Sequence, residues 1–490
     1  MAYEPVRLCP AQRLKSILEN LDGRRVVLVG LGMFSGGEGA ARYLVSRGAR
    51  LLVTDLKDAG ILAPVLRRLS DLPIEYRLGE HRFEDVEKAD LLVANQAVPR
   101  TAPLLRHAAQ CGVPLASPMN CFLTLCPAPV AAVTGSVGKS TTTVMLAAML
   151  SAGGRRVHLG GNIGINLLPR LSEIAPGDIV VLEISCFQLE DAACLPWSPH
   201  VGVVTNLTPN HLDRYRDHAA YAESKRAIVA FQRPGDAAVL NARDAVLQQW
   251  ARKEVRGTLL LFDPEPSDGP MVQGTNLRNG RLVWNNGTGQ QVICSAEQIL
   301  VPGAHNVANA LAAAAAARWM GVEADAIRGT LEEFRGLEHR LEECGRFDGM
   351  TFYNDSDATT PESTVAGLQS FESPLTLIAG GYNKGLDLGP MAEAVARRAD
   401  VLVAMGQCGP DLAQRTREAG LHRGATPIIR EVDSLQAAVR AAIKLSMPGS
   451  SILFSPGCAS FDMFQNFAER GRCFKALVRD EALARSAEEA

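Results

Sequence analysis

Residues 130–150 read VAAVTGSVGKSTTTVMLAAML and join an apolar run, a glycine-rich loop and a helical pattern. The run 130–133 predicts a buried strand, and Gly135 and Gly138 permit a tight loop that exposes backbone N–H groups to phosphate. Lys139 can reach the outer phosphates of a nucleotide, and the Ser140 hydroxyl can ligate Mg²⁺. The loop departs from the full GxxxxGK[ST] pattern because position 133 is valine. Phosphate binding alone leaves ATPase, kinase, motor and ligase functions open.

Around this stretch, short β-rich runs alternate with amphipathic helical patterns, which is the rhythm of parallel α/β sheets. Examples of the predicted strands are 25–29, 51–54, 91–94, 130–134, 179–184, 201–205, 375–379, 401–405 and 451–455. Segment 259–301 places turn signals between β-like runs, so it predicts an antiparallel insert at the edge of the middle domain.

The length of 490 residues predicts about three domains of ordinary size. A fresh βα unit begins after residue 118, and a helical stretch ends near Gly336. We therefore expect an α/β protein with domains over 1–118, 119–336 and 337–490.

Composition narrows the class of protein. Hydrophobic residues make up 47% and charged residues 21%, a balance that predicts a soluble globular chain. The net charge of −3 gives no indication of a nucleic-acid or membrane-surface partner held by bulk charge. We find no signal-peptide core and no run long enough to span a bilayer. The eleven cysteines lack a CxxC pair, which favours reduced thiols and a cytoplasmic location.

A second glycine loop lies near the N-terminus, in VVLVGLGMFSGGEGAARYL at 26–44. Gly30 and Gly32 match the start of a GxGxxG motif, and Asp55 ends the next strand at the distance where a carboxylate meets a ribose. A dinucleotide, a UDP-type diphosphate or a tight turn without ligand would each satisfy this pattern.

A series of motifs follows the phosphate loop in a fixed order. It comprises GGNIG at 160–164, VVLEISCFQLE at 180–190, VVTNLTPNHLDRY at 203–215, YAESKRAI at 221–228, VPGAHNVANALAA at 301–313, LEHRLE at 337–342, YNDSDATTPES at 353–363 and SPGCASFDMFQNFAERGRCF at 455–474. This series resembles the Mur ligase family over nearly the whole chain. The last block is most similar to the branch that adds D-glutamate to UDP-N-acetylmuramoyl-L-alanine.

The resemblance implies an ATP-dependent, amide-forming enzyme of cell-wall peptidoglycan synthesis with three domains. An N-terminal Rossmann-like domain would hold the UDP-sugar precursor, a central phosphate-loop domain ATP, and a C-terminal Rossmann-like domain the amino acid. ATP would phosphorylate the precursor carboxylate, and the amino group would attack the acyl phosphate. The implied cofactors are two Mg²⁺ ions and a carbamylated Lys225, and we expect a monomer without nucleic-acid partner or membrane insertion.

The resemblance also assigns residues. Catalysis would use Lys139, Glu183, His211 and Lys225, and Mg²⁺ would be held by Ser140, Glu183, His211 and Lys225. Nucleotide contacts would come from Gly135, Ser136, Gly138, Lys139, Ser140, Thr141, Asn306, Arg340 and Asp355. Substrate contacts would come from Gly30, Gly32, Asp55, Asn162, Ser185, Thr359, Lys384, Ser460 and Phe467. Carboxylate and hydroxyl oxygens are the hard ligands that Mg²⁺ prefers.

Four departures from the family pattern bear on the substrates. Val137 stands where the phosphate loop usually carries Asn, and Asp357 stands where the D-glutamate-adding branch carries Lys. The first glycine loop is longer by two residues, and ANQAVP at 94–99 replaces a Ser-Pro-Gly turn. Asp357 would repel the carboxylates of glutamate unless another group compensates.

Several functions therefore remain open at this point. A relative could add another amino acid, such as L-glutamate, or use another carboxyl donor such as a folate, although the Rossmann-like unit at the N-terminus argues against the folate version. A non-catalytic nucleotide-binding module is a second class. An NAD-dependent oxidoreductase is a third, but it would leave the phosphate loop, Glu183 and His211 without a role.

Overall fold

The structure is a computed structural model that describes residues 6–32, 35–208, 215–265, 273–371, 374–421 and 426–488. The chain divides into two compact units. One covers Met1–Ala296 with Ala308–Thr330, and the other covers Glu297–Val307 with Leu331–Ala490. The first two predicted domains thus share one unit, and the three-domain division stays a prediction.

The first unit begins with a parallel sheet in the order β3-β2-β1-β4-β5. Its strands are β1 (Arg25–Val29), β2 (Arg50–Asp55), β3 (Ile74–Leu78), β4 (Leu91–Ala94) and β5 (Leu115–Ala116). The helices are α1 (Ala11–Glu19), α2 (Ser35–Ser46), α3 (Ala59–Arg68), α4 (Glu84–Glu87), α5 (Pro103–Gln110) and α6 (Pro118–Leu125). Apolar cores cover both faces, which explains why the central strands are continuous hydrophobic runs.

The same unit contains a larger sheet in the order β14-β13-β12-β11-β10-β9-β6-β8-β7. Its strands are β6 (Val130–Thr134), β7 (Val157–Gly161), β8 (Ile179–Glu183), β9 (Val201–Val204), β10 (Ala237–Asn241), β11 (Thr258–Asp263), β12 (Gly274–Arg278), β13 (Arg281–Asn285) and β14 (Gln290–Ser295). Along the chain follow α7 (Lys139–Ala152), α8 (Cys186–Ala193), α9 (His218–Lys225), α10 (Ala227–Ala230), α11 (Ala245–Lys253), α12 (Ala304–Trp319) and α13 (Ala324–Glu333). The predicted antiparallel insert is confirmed for β12–β14, which pair antiparallel at the sheet edge. It is wrong for β11, which pairs parallel with both neighbours.

The second unit holds a sheet in the order β15-β16-β20-β17-β18-β19. Its strands are β15 (Glu342–Phe347), β16 (Met350–Asn354), β17 (Leu375–Gly380), β18 (Val401–Met405), β19 (Ile428–Val432) and β20 (Ser451–Phe454), and only the β15–β16 pairing among these described strands is antiparallel. The helices are α14 (Pro361–Leu368), α15 (Gly389–Arg398), α16 (Gly409–Leu421), α17 (Leu435–Leu445) and α18 (Phe467–Glu488). Two apolar cores flank the sheet, one containing residues of α15 and α16 and the other residues of α17 and α18. The connections after the neighbouring strands β17 and β20 therefore leave on opposite faces, and this is where α/β sheets form a binding crevice.

Each strand predicted from an apolar run is present, with ends that agree to within one residue. None of the described helices has the length and apolarity that crossing a lipid bilayer requires. All eleven cysteines are free thiols in the structure.

Candidate active site

The phosphate loop connects β6 to α7 and turns on two glycines. Gly135 has φ of 150° and Gly138 has φ of 85°, conformations that side chains other than glycine rarely adopt. Helix α7 begins at Lys139, so its unpaired N–H groups face the loop. The Lys139 ammonium folds back and donates to the carbonyl oxygens of Gly135 and Ser136, at 3.2 and 2.9 Å. The predicted strand, loop, lysine and helix are therefore all present, and the binding of phosphate by this turn stays a prediction.

Side chains from distant segments hold this loop in shape. A Cβ at Gly138 would lie 2.3 Å from Oδ1 of Asn309, and that oxygen also accepts a hydrogen bond from Thr142. The Ser136 hydroxyl donates to the Thr208 carbonyl at 2.8 Å and lies 3.1 Å from the Tyr221 hydroxyl. Predicted Ser140 is half-buried and predicted Thr141 is buried, both in the first turn of α7.

Val137, the first departure from the family pattern, is exposed at the tip of this loop. The side-chain amide of Asn206 accepts from the Val137 N–H at 3.0 Å and donates to its carbonyl at 3.0 Å. Asn206 follows the adjacent strand β9 and therefore brings an amide to the place where the sequence lacks one. Asn206 is not among the predicted site residues, although its position after a strand that neighbours β6 is a signal of a site.

Glu183 ends β8 beside the phosphate loop and is 2% exposed. Its Oε1 accepts from Nδ2 of Asn162 at 2.8 Å, whereas its buried Oε2 has no hydrogen-bond partner among the described residues. A buried carboxylate oxygen without a partner is costly, and a bound cation would satisfy it. The predicted residues Asn162 and Glu183 are thus in direct contact.

Lys225 ends α9 and is 2% exposed. Its amine donates to the Thr134 hydroxyl at 3.2 Å and lies 5.1 Å from the centre of the Tyr221 ring. The pKa of this amine is lowered to about 8, chiefly by burial; Cys186 and Glu183 oppose the change, and the nearby Lys139 contributes to it. Because Thr134 immediately precedes Gly135, the lysine lies at the base of the phosphate loop. An ordinary surface lysine would have none of these features.

The carboxylate of Asp55, at the end of β2, fixes the first glycine loop. Asp55 is buried and accepts from the backbone N–H of Gly32 at 3.1 Å and of Lys57 at 2.9 Å. Gly30 and Gly32 both have positive φ, and a Cβ at Gly30 would meet Val98 of the 94–99 segment at 2.7 Å. Asp55 therefore organises the loop, and its contact with a ribose stays a prediction.

The segment 160–166 connects this loop to the phosphate site. The Asn166 side chain donates to the Gly36 carbonyl at 3.1 Å, and the Asn162 N–H donates to the Glu183 carbonyl at 2.8 Å. Predicted Ser185 caps α8, where its hydroxyl accepts from the Gln188 N–H at 3.3 Å in a capping box. The hydroxyl already has this structural use, so a role of Ser185 in substrate binding stays a prediction.

In the second unit, Arg340 and Asp357 form an ion pair. Nη2 of Arg340 lies 2.5 Å from Oδ2 of Asp357, and Nε lies 3.2 Å from the same oxygen. Asp355 is buried and accepts from the Ser455 hydroxyl at 2.6 Å. Burial raises the pKa of Asp355 to about 7. The hydrogen bond from Ser455, the charge of Arg340 and the hydrogen bond from the Leu341 N–H oppose the rise. The compensating charge that Asp357 requires is therefore present.

Arg340 is flanked by two residues in the left-handed region, His339 with φ of 67° and Leu341 with φ of 44°. This strain is typical of functional segments. Predicted Asn306 is buried in the first turn of α12 and donates to the Pro302 carbonyl at 2.7 Å.

Three loops at the carboxyl ends of β16, β20 and β17 carry the predicted amino-acid site. We call the loops 355–359, 381–384 and 456–460 the strand-end cluster. Gly457 N–H donates to the Ala358 carbonyl at 2.9 Å, and Tyr382 and Ala459 exchange two backbone hydrogen bonds of 2.9 and 3.0 Å. These bonds bring the segments of predicted Thr359, Lys384 and Ser460 together. Lys384 is exposed with its amine 5.2 Å from the Phe461 ring centre, and Ser460 is buried.

Phe467 begins α18 and packs edge-on to His339 at 6.2 Å. The same helix supplies a residue that we did not predict, Arg470, which is fully buried. Its guanidinium donates to the carbonyls of Ser356 and Cys458 and to the Ser356 hydroxyl, at 2.9 to 3.1 Å. Burial lowers its pKa to about 10. Arg470 therefore joins two loops of the strand-end cluster, a role that its position in a polar helical segment does not indicate.

One predicted ligand, His211, lies outside the described residues. Within the described ranges no three His, Cys, Asp or Glu residues group as a metal site, and of the predicted metal ligands only Glu183 is of these types and described.

Two family descriptions match this chain. "Mur ligase middle domain" matches residues 133–317, and "Mur ligase, glutamate ligase domain" matches residues 339–458. The first match contains the phosphate loop, Glu183 and Lys225, and the second contains Arg340, Asp355 and Lys384.

Similar proteins cover the chain almost completely. It is 39% identical to the UDP-N-acetylmuramoylalanine–D-glutamate ligase of Symbiobacterium thermophilum, over 94% of this chain and 98% of that protein. It is 37% identical to the protein of the same name from Roseiflexus sp. strain RS-1, over 94% and 99%. The crystal structure of UDP-N-acetylmuramate–alanine ligase from Thermotoga maritima shares its fold, with a TM-score of 0.59, 20% identity and coverage of 94% and 100%.

Proposed function

The chain belongs to the Mur ligase family, and from that premise we propose that it joins D-glutamate to UDP-N-acetylmuramoyl-L-alanine with conversion of ATP to ADP and phosphate. Relatives with 39% and 37% identity over nearly their full length carry the name of this ligase. The observation that carries the proposal is that two buried side chains, those of Glu183 and Lys225, flank the phosphate loop. A module that only bound nucleotide would not need both.

ATP would bind with its phosphates on the loop 135–141. The N–H groups at the start of α7 and the Lys139 ammonium would neutralise phosphate charge. In the structure Lys139 donates to loop carbonyls, so its amine already lies over the loop. Asn306, Arg340 and Asp355 would contact the rest of the nucleotide, as the family pattern implies.

Magnesium fits the donor set of the first unit. The unpartnered Oε2 of Glu183 is a hard oxygen ligand, and the Ser140 hydroxyl and His211 would complete the family pattern. Bound Mg²⁺ would supply charge stabilisation for phosphoryl transfer.

Lys225 fits the carbamate that the family pattern implies. Only a neutral amine reacts with CO₂, and burial lowers the pKa of Lys225 to about 8, which raises the neutral fraction. A carbamate would turn the amine into a carboxylate able to hold a cation. Mass spectrometry of the protein in bicarbonate buffer should show one added CO₂ on the peptide of Lys225. An unmodified amine under Mg²⁺-replete conditions would contradict this assignment.

The reaction needs positioning more than covalent help from the protein. Phosphoryl transfer to the alanine carboxylate gives an acyl phosphate, and the amino group of the acceptor then attacks the carbonyl carbon and displaces phosphate. Lys139 and the loop N–H groups would stabilise the charge that develops on the transferred group. The segment 160–166, which contacts both Gly36 and Glu183, would align the precursor with the metal.

The acceptor would bind at the strand-end cluster. The Lys384 ammonium and the Ser460 hydroxyl would bind carboxylates, with Thr359 and Phe467 beside them. Arg340 pairs with Asp357, so the acid that replaces the family lysine presents a neutralised charge. This pairing supports glutamate as the acceptor in spite of the departure.

The decisive assay combines the purified protein with Mg-ATP and UDP-N-acetylmuramoyl-L-alanine and follows phosphate release with D-glutamate, L-glutamate and other amino acids. We expect release that depends on D-glutamate, with the amide product identified by mass. Lys139→Ala should lose activity, whereas Lys253→Ala, at the exposed end of α11, should keep it.

Other outcomes have defined meanings. Release only with L-glutamate or another amino acid would keep the chemistry and replace the acceptor. Absence of release from a protein that Mg-ATP still stabilises would favour the non-catalytic relative. We also propose a cytoplasmic monomer, which sedimentation of the full chain and cell fractionation would test.

A further inference from the structure

Two buried cysteines meet in the second unit. Sγ of Cys408 lies 3.0 Å from Sγ of Cys458, and the residues are 7% and 2% exposed. Cys408 stands between β18 and α16, and Cys458 stands in the loop 456–460 of the strand-end cluster. Fifty residues separate them in sequence, so only the fold brings the thiols together.

The backbone around both cysteines is well fixed. The Cys408 N–H donates to the Gly381 carbonyl at 2.9 Å, and the Gln407 N–H donates to Oδ2 of Asp462 at 3.0 Å. Buried Arg470 donates to the Cys458 carbonyl at 3.0 Å. The sulfur atoms therefore face each other across two anchored loops, and a bond between them needs little backbone movement.

We propose that Cys408 and Cys458 form a reversible disulfide that switches off amino-acid binding at the strand-end cluster. The effect on activity rests on the proposed function, because Ser460 lies two residues after Cys458. Bond formation would close the gap of 3.0 Å between the sulfur atoms to about 2 Å, and even a small shift of the loop 456–460 would misplace Ser460 relative to the amino acid. Disulfides in reducing compartments are typically transient and regulatory, which fits a buried pair that is reduced in the resting enzyme.

Hydrogen peroxide is the oxidant in this proposal. The Cys408 thiolate attacks one peroxide oxygen, the O–O bond breaks, and water leaves after protonation to give a sulfenic acid. The Cys458 thiol then attacks that sulfur, forms the S–S bond and releases a second water. Both sulfurs are oxidised and both peroxide oxygens are reduced. A low-molecular-weight thiol reverses the reaction by exchange.

Cys408 is the suitable first nucleophile. The hydrogen bond with Cys458 lowers the pKa of the Cys408 thiol, and backbone hydrogen bonds at Gly381 and Cys408 add to this against the effect of burial. A thiol at the beginning of a helix gains further from the helix N–H groups. Cys408 is also the more exposed of the two.

The test treats the full-length protein with peroxide and maps its peptides without reduction. We expect a peptide that links Cys408 to Cys458 and lacks two hydrogen atoms, and a fall of about tenfold in kcat/KM for D-glutamate that dithiothreitol restores. Cys408→Ser and Cys408→Ala should resist inactivation. The control Cys111→Ser, which removes an exposed cysteine of the first unit, should respond as the wild type does.

Each result has a separate meaning for the two proposals. Absence of the linked peptide, or inactivation of Cys408→Ser at the wild-type rate, would overturn the disulfide. A linked peptide without change in acceptor kinetics would overturn the switch. A linked peptide in an enzyme that shows no ligase activity even when reduced would contradict the proposed function and leave the disulfide supported.

Discussion

Lys225 illustrates how much of the chemistry depends on single residues. A lysine at 2% exposure loses hydration, and the Thr134 hydroxyl and the Tyr221 ring replace it only in part. The fold therefore raises the fraction of neutral amine, which is the form that can react with CO₂. The cost of this burial to the apoprotein should be measurable.

We predict that Lys225 makes stability depend on alkaline pH. Its pKa is about 8 in the folded protein and 10.5 in the unfolded chain, so between these values the unfolded state binds more protons. Stability should therefore rise with pH across this window, by at most about 3 kcal/mol from this group. Urea unfolding in CO₂-free buffer should show the rise for the wild type relative to Lys225→Met. The exposed control Lys253→Met should follow the wild type, and an equal slope in Lys225→Met would contradict the prediction.

A second prediction concerns Asp357. Asp357→Asn keeps the shape of the side chain but removes the charge that pairs with Arg340 at 2.5 Å. Asp357 holds the guanidinium of Arg340, which is assigned to the nucleotide, so its loss should raise KM for ATP by about threefold to tenfold. KM for the amino acid should change little, because the pair in the wild type is neutral as a whole and does not repel the acceptor. Initial rates with each substrate varied separately give the two constants. Asp387→Asn, an exposed acid of the same unit, should leave both unchanged, whereas a lower KM for the amino acid in Asp357→Asn would mean that Asp357 repels the acceptor.

Local motifs predicted some of these residues, and long-range contacts added others. Lys139 and Glu183 could be predicted because the loop and the strand end lie in one short pattern each. The contacts of Asn206, Asn309 and Arg470 could not be predicted, since their partners are 69, 167 and 114 residues away in sequence. The spacing of residues along one sequence does not report such long-range pairs.

At the scale of elements, the phosphate loop depends on glycine for two different reasons, which a pair of variants separates. Gly138→Ala meets a left-handed φ of 85° and a contact of 2.3 Å with Asn309, whereas Gly154→Ala meets φ of 78° with nothing within 4 Å. Both should lose about 1 kcal/mol of stability from the backbone penalty. Only Gly138→Ala should lose more than this and also lose thermal stabilisation by Mg-ATP. Equal behaviour of the two variants would mean that the loop tolerates the side chain.

Burial made some strands easier to predict than others. Val130–Thr134 and Val401–Met405 are buried at every position, so each appears as an apolar run. Ile74–Leu78 and Glu342–Phe347 are half-exposed and contain charged residues, and neither was predicted. The parallel pairing of Thr258–Asp263 was also missed, because an adjacent antiparallel hairpin gave the whole segment the same turn-rich texture.

At the scale of the molecule, the first two sheets belong to one compact unit although the sequence predicted a boundary at residue 118. The start of a fresh βα unit indicates a boundary in the sequence, but it does not report side chains that connect the two sheets. The ion pair of Arg100 with Asp191 is such a connection, between the segment after β4 and helix α8. Helix α8 starts three residues after Glu183, so this pair connects the first sheet to the predicted metal site.

The last prediction follows from the burial of that pair. Arg100 and Asp191 are 13% and 7% exposed and form two hydrogen bonds of 3.1 and 2.6 Å. Removing either side chain leaves the other as a buried charge without its partner. Arg100→Met and Asp191→Leu should therefore each lower the free energy of unfolding by about 3 kcal/mol, while the double variant should recover most of the loss. Arg243 and Asp263 make a matched surface pair with two bonds of 2.7 Å, and their cycle should give a coupling of about 1 kcal/mol or less. Urea unfolding of the variants of both cycles gives the two coupling energies. The single variants at 100 and 191 should also lower kcat/KM for the precursor, because Asp191 lies on α8, which begins three residues after Glu183. The double variant should restore this kcat/KM. Coupling no larger than that of the surface pair would show that the packing of apolar side chains, and not this ion pair, holds the two sheets in one unit.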